Sequence, residues 1–359
     1  MPTDTALKQR IDIAAGRQVA DLVLSNCRIV DVFGGTVING NIAIHAGIII
    51  GIGNYSGKKV LDMNNAYVAP GLIDSHIHME SSIVTPEQLA RIIVPRGTTA
   101  LIADPHEIVN VCGTAGLKFL IDSTAKLPLD TFFMLPSCVP ATEFETSGAA
   151  ISAADIAELI NSESVLGLGE LMNYFGTVMA DKDILAKIRA AGGKKIDGHA
   201  PLLSAQALNA YIISGVKTDH ECSNAQEMAE KLSAGMYIAI REGSAARDLA
   251  ALIPHITPRN ERRCTLCTDD KHPCDILKEG HIDFNIRKAV SLGLDPITAI
   301  KMATLNTAEC YGLPNRGAIA PGYRADLIVF DDFDSFIIKQ VYQSGRLVAQ
   351  DGKALFSVA

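Results

Sequence analysis

From about residue 67 to residue 314 the chain repeats one rhythm, a short apolar β-rich run followed by a helix-length segment. The runs end in GLIDSHIH, TTALIADPHE, TFFMLPSCVP, VLGLGE, KKIDGHA, GVKTDHE, MYIAIREG and RRCTLCTDD. Segments between them, such as TPEQLARIIVPRG and NAQEMAEKLSAG, have helical spacing, a capping residue at the start and Gly at the end. Eight such units over about 240 residues predict a (β/α)8, TIM-like barrel within the α/β class. An open doubly wound sheet is the rival, but its glycine-rich phosphate fingerprint is missing.

The flanks have a different texture. Residues from about 20 to 66 and the tail GAIAPGYRADLIVFDDFDSFIIKQVYQSGRLVAQDGK alternate short β-rich pieces with Asn and Gly turn signals. Both chain ends are therefore expected to meet in one small β-sandwich domain, with residues 1–66 and 315–359 flanking a catalytic barrel over 67–314.

Composition narrows the partners. A net charge of −8, no Trp and 5% aromatic residues argue against a nucleic-acid surface. The most apolar runs, such as IAIHAGIIIGIG, are too short and too interrupted by Gly to span a membrane, so no membrane partner is expected. The N-terminal stretch lacks the basic-then-apolar order of a signal peptide, which predicts a cytoplasmic protein with its eight cysteines reduced. Cys264 and Cys267 form a C-x-x-C, but RCTLCTDD reads as a buried strand rather than a zinc or redox site.

A barrel carries its active residues at the carboxyl ends of its strands, and the polar residues stand there. The first strand ends in His76 and His78, which alternate and so project together. The fourth ends in Glu170, the fifth in His199, the sixth in His220 and the eighth in Asp269. Imidazole and carboxylate are the donors that suit divalent manganese, iron or zinc. Four histidines and two carboxylates exceed what one tetrahedral ion needs, and two ions sharing a carboxylate would use the set. Taken singly, each strand-end His reads as a hydrogen-bonded residue, and Glu170 or Asp269 as a helix cap. Six coincidences around one mouth make the metal centre the better account. His45, His255, His272 and His281 lack this placement and are read as structural or exposed.

These motifs in this order resemble the amidohydrolase superfamily. Within it, GLIDSHIHMESSIVTP, GTTALIADPHEIVNVCG, CTDDKHPCDILKEGHIDFNIRKAV and MATLNTAECYGLPNRGAIAPGYRADLIVFDD are similar to the adenine deaminase branch. Many members of the superfamily carry a carboxylated lysine after strand four; Glu170 in its place is in keeping with this branch. The resemblance implies a binuclear divalent centre, Mn2+ or Fe2+ with Zn2+ also admitted. His76 and His78 would hold one ion with Asp269, His199 and His220 the second, and Glu170 would bridge them. It implies hydrolysis of adenine to hypoxanthine and ammonia for purine salvage. Metal-activated water would attack C6 while Asp269 shuttles the proton, so Asp269, His220 and Glu170 form the expected catalytic set.

The purine base, a small-molecule partner, is expected against Glu80, Ser81 and Ser82 after strand one and Asp104, His106 and Glu107 after strand two. Asp104 and Glu107 have a plainer reading as caps of the following helix. Asp270, Lys271 and the stretch Arg241–Gly243 are further candidates at the mouth. Family habit implies a homo-oligomer. It also implies a further domain after the β-rich tail, so a chain stopping at Ala359 is expected to be a short form. Two alternatives accompany this reading: another amidohydrolase activity such as cyclic amide hydrolysis, and a non-catalytic metal-binding partner chain. The cytidine-type zinc deaminases are excluded, because Pro273-Cys274 lacks the second Cys of their P-C-x-x-C.

Overall fold

The computed structural model describes residues 3–142 and 144–357. Eight parallel strands stand where the apolar runs predict them: β1 (Leu72–Ile77), β2 (Thr98–Ala103), β3 (Asp130–Leu135), β4 (Val165–Leu171), β5 (Lys195–Gly198), β6 (Thr218–Asp219), β7 (Tyr237–Arg241) and β8 (Cys264–Cys267). Strands β1 to β5 pair in order, as do β6 to β8. A bridge between Ile196 and Val216 joins the two groups, and one between Ile77 and Asp269 closes the ring. Every residue of β1 and β2 is buried, as expected for parallel strands covered on both faces.

The connecting helices use the predicted punctuation. Helix Pro86–Ile93 has Pro at its first position after Thr85, where the missing N–H costs nothing. Helix Ala225–Ser233 is capped by the Asn224 side chain, which accepts the Glu227 N–H. Cys264 and Cys267 lie fully buried in β8, as the apolar run implied.

Both chain ends contribute to a single nine-stranded sheet. Its seam is the antiparallel pair of Tyr67–Pro70 with Leu327–Phe330, where Tyr67 stacks on Phe330 at 5.3 Å between ring centroids. Tyr67–Pro70, expected at the start of the barrel, thus belongs to the small sheet. The long strand Ala20–Asp31 pairs with Thr36–His45 on one side and with Gly57–Asp62 on the other. A helix at Asp4–Ala14 precedes the sheet, tied to it by buried Ile13 and by the Tyr55 hydroxyl, which donates to the Ala14 carbonyl.

Candidate metal centre

Barrel closure itself builds the centre. The Asp269 N–H donates to the His76 carbonyl at 3.0 Å, and the His78 N–H to the Asp269 carbonyl at 3.3 Å. Asp269 leaves β8 with a left-handed φ of 57°, a conformation that Asp tolerates better than most residues. The ends of the first and last strands are thereby laced together, and their side chains face one point.

The six strand-end residues converge. His76 Nε2 lies 3.0 Å from His78 Nε2, and His78 Nε2 lies 3.0 Å from Asp269 Oδ1. Across the mouth, His199 Nδ1 and His220 Nε2 stand 3.3 Å apart, at 2.9 and 3.0 Å from Glu170 Oε2. The other oxygen, Glu170 Oε1, lies 3.7 Å from His78 Nε2. Oε2 therefore faces His199 and His220, with His76 Nε2 at 4.0 Å, whereas Oε1 faces His78 and, at 3.0 Å, His106. Donor atoms lie within 4.8 Å of one another in the sets His76–His78–Asp269, His76–Glu170–His220 and His199–His220–Glu221.

This donor set fits divalent cations. Two imidazole nitrogens bound tetrahedrally to one ion at ~2.0–2.1 Å stand about 3.3 Å apart, close to the separations of both histidine pairs. Glu170 is 2% exposed, and among the described residues only imidazoles are ion-paired with it. A buried carboxylate without a fixed cation is costly unless a proton or metal balances it. Burial alone would raise its pKa, yet the His220 imidazole and the hydrogen bonds from His106, His199 and His220 hold it well below the usual carboxylate range. Asp269 follows the same pattern: burial opposes ionisation, and the hydrogen bond from His78 with the charges of His220 and His76 overrides it. Burial, then the neighbouring His220 and His78, pushes His76 well below an ordinary imidazole, whereas contacts with Asp269 and Glu170 overcome burial and raise His78. Metal binding displaces protons from ligands of this kind.

Of the residues expected to meet the base, His106 sits closest to the centre, with Nδ1 3.0 Å from Glu170 Oε1. Glu107 Oε2 lies 3.5 Å from His78 Nδ1. Asp104 stands elsewhere than expected: it is fully buried and accepts the Glu170 N–H at 2.7 Å. It therefore supports the centre from behind instead of lining the mouth or capping a helix. The capping falls to Glu80, whose Oε1 accepts the Ile108 N–H at 3.1 Å from another loop. The Ser81 hydroxyl donates to Asp270, so Asp270 holds the loop after β1. Lys271 is buried, 4.6 Å from the centre of the Phe284 ring, and donates to the Glu242 carbonyl.

One carboxylate escaped the sequence reading. Glu221 Oε1 lies 3.6 Å from His199 Nδ1 and 3.5 Å from His220 Nε2. Its signal was its place directly after His220 in TDHE. Arg241 joins it: the guanidinium contacts Glu221 and lies 3.1 Å from Asp269 Oδ2. His281, set aside as structural, is fully buried, with Nδ1 2.8 Å from the Thr98 hydroxyl and Nε2 3.2 Å from Asp74.

Comparison with known proteins agrees with this architecture. The chain is 52% identical over 351 residues to an adenine deaminase of Clostridium acetobutylicum, covering 97% of this chain and 62% of that protein. It is also 52% identical over 348 residues to an adenine deaminase of Nitratidesulfovibrio vulgaris, covering 96% and 60% respectively. The chain thus spans about three-fifths of the length of these curated relatives. Among solved structures, the fold resembles a β-aspartyl dipeptidase of Fervidobacterium islandicum, with a TM-score of 0.69 at 20% identity over 95% of this chain and 99% of that one. An enamidase follows with a TM-score of 0.68 at 18% identity over 93% and 96%. The model of the amidohydrolase family matches residues 67–348. That match runs from the strand before β1 into the penultimate strand of the small sheet, and the chain belongs to the amidohydrolase family.

Proposed function

We propose that the chain carries the catalytic core of an adenine deaminase and hydrolyses adenine to hypoxanthine and ammonia in a metal-dependent reaction. The observation that carries this reading is the likeness to proteins named adenine deaminase, which extends over 96–97% of the chain and so includes every loop of the barrel mouth. The curated relatives and the donor cluster support one chemistry.

In this reading His76 and His78 would hold one ion with Asp269, His199 and His220 would hold the second, and Glu170 would be shared between them. Bound divalent ions supply an acidified water and positive charge against which negative charge develops on the base. Asp269 would accept a proton from the attacking water and deliver it to the substrate nitrogen or departing amine, a role typically worth about 10²–10⁴-fold in rate. His220 and Glu170 would act through the ions they hold. Glu80, Ser81, His106 and Glu107 form the wall that receives the base, because carboxylate, hydroxyl and imidazole match its N–H donors and ring-nitrogen acceptors. Asp104 holds Glu170 from behind.

Manganese or iron(II) is the proposed metal, with zinc also suited to the donors. The eight unpaired thiols fit a cytoplasmic location, and the family habit of association makes a homo-oligomer the proposed state. The nine-stranded sheet is read as folding over on itself into a sandwich, because strands from both chain ends, carrying Leu24 and Ile42 on one side and Leu327 and Tyr342 on the other, share one apolar cluster.

The test is ammonia and hypoxanthine release from adenine by the chain loaded separately with manganese, iron(II) or zinc. Metal-dependent release is expected. Absence of release from chains that still bind about two ions would move the function to another substrate.

A further inference from the structure

Arg241 occupies a position that the proposed reaction does not use. It ends β7, and it is the only Lys or Arg ion-paired with Glu170, Glu221 or Asp269 among the described residues. One nitrogen, Nη1, serves both Glu221 Oε1 and Asp269 Oδ2. Nε is held 3.0 Å from Asp248 Oδ2, and the Asp248 N–H donates back to the Arg241 carbonyl at 3.0 Å. The guanidinium is thus fixed on its own loop before it reaches the centre.

Its two carboxylate partners at the centre, Glu221 and Asp269, are those with a choice. Asp269 turns Oδ1 to His78 at 3.0 Å and Oδ2 to Arg241. Glu221 Oε1 faces His199 and His220 at 3.6 and 3.5 Å and touches Arg241 with the same atom. Without the guanidinium, the half-buried Glu221 and the buried Asp269 would be left with only the imidazoles beside them, and in the two-ion reading the ions would be their nearest compensating charge.

We infer that Arg241 is a positioning residue that limits how many carboxylate oxygens reach the two ions, withholding Glu221 and the second oxygen of Asp269. The inference rests on the two-ion reading above. Each additional carboxylate lowers the net charge of the centre, and with it the acidity of a bound water, while tightening the hold on the metal. Arg241 therefore favours turnover at the expense of metal affinity.

Chains with Arg241→Met, Arg241→Lys and the pair Arg241→Met with Glu221→Gln, loaded with manganese, separate this role from a structural one. The readouts are metal per chain, half-time of metal loss to a chelator, and kcat and KM for adenine. Arg241→Met is expected to keep its metal and release it at least about threefold more slowly. Its kcat is expected to fall about tenfold or more with KM within about twofold. Adding Glu221→Gln is expected to return the release rate toward wild type and recover part of kcat. A structural role predicts the opposite sign, faster metal loss. Release at or above the wild-type rate in Arg241→Met, or no recovery in the double variant, overturns the inference. Should Arg241→Met not fold, Arg241→Lys carries the test, since it keeps the charge but loses the fork. An intermediate, slowed release supports the inference and an unslowed one overturns it. If the wild-type chain does not deaminate adenine, the functional reading falls while the chelator arm still decides the role of Arg241.

Discussion

The Asp104 carboxylate accepts the backbone N–H of Glu170 at 2.7 Å, tying the end of β2 to the residue that faces both halves of the donor cluster. Gly169 permits this approach: a Cβ there would stand 2.3 Å from Asp104 Oδ2 and 2.9 Å from the Leu135 carbonyl oxygen. Gly169→Ala is therefore expected to lose about 1–3 kcal/mol of stability by overpacking and to bind less metal. Thermal unfolding and metal analysis check it, and a variant with wild-type melting and full metal content would count against the proposed support.

Replacing Asp269 with Asn keeps the side-chain shape but removes the charge and the proposed base. The Asp269→Asn chain is expected to fold normally and to lose turnover by about 10²–10⁴-fold. Steady-state ammonia release measures this; a rate near wild type would remove Asp269 from the proton path.

Metal removal should weaken the fold as well as the activity, because the donors come from strands on opposite sides of the barrel. A ligand present at 100 times its Kd adds about 2.7 kcal/mol to stability. Chelation is expected to lower Tm, and added manganese to restore it. Scanning calorimetry with and without chelator reads the effect, and an unchanged Tm would mean that the donors are already satisfied without an ion.

Lys231 is fully buried, pairs with Asp219 at 2.9 Å and Glu227 at 2.8 Å, and donates to the Ala200 carbonyl. Asp219 in turn accepts the N–H groups of Ala200 and Glu221, so this lysine steadies the loops carrying His199 and His220. Lys231→Met leaves two buried carboxylates without their cation and is expected to cost about 3–5 kcal/mol. Urea unfolding would show it, and a loss under about 1 kcal/mol would mean that the pair behaves like a surface contact.

The six strand-end residues were legible because each follows an apolar run whose length and period are local properties. His106 and Glu107 were legible as neighbours of the mouth through DPHE, but their distances from Glu170 and His78 were not. Asp104 illustrates the limit: from sequence it shares a loop with His106, yet its side chain turns back under β4, where only strand pairing places the Glu170 N–H. The helix Asp4–Ala14 was missed because Ile13 is its only buried residue, leaving almost no periodic signal. Lys231 stood unmarked within the helical segment NAQEMAEKLSAG, since nothing near it in sequence announces Asp219.

The sequence by itself determined the repeating strand-and-helix architecture, the donor types and their places at strand ends, because those depend on hydrophobic period and residue chemistry along a few positions. Only the tertiary structure decided which oxygen of Glu170 faces which histidines, that Glu221 stands beside the second pair, and that Arg241 stands between Glu221 and Asp269. Those relations join strands β1, β4, β5, β6, β7 and β8, and they depend on register and ring closure. Differences of an ångström or two in strand stagger would redistribute the contacts, and no local pattern encodes that stagger.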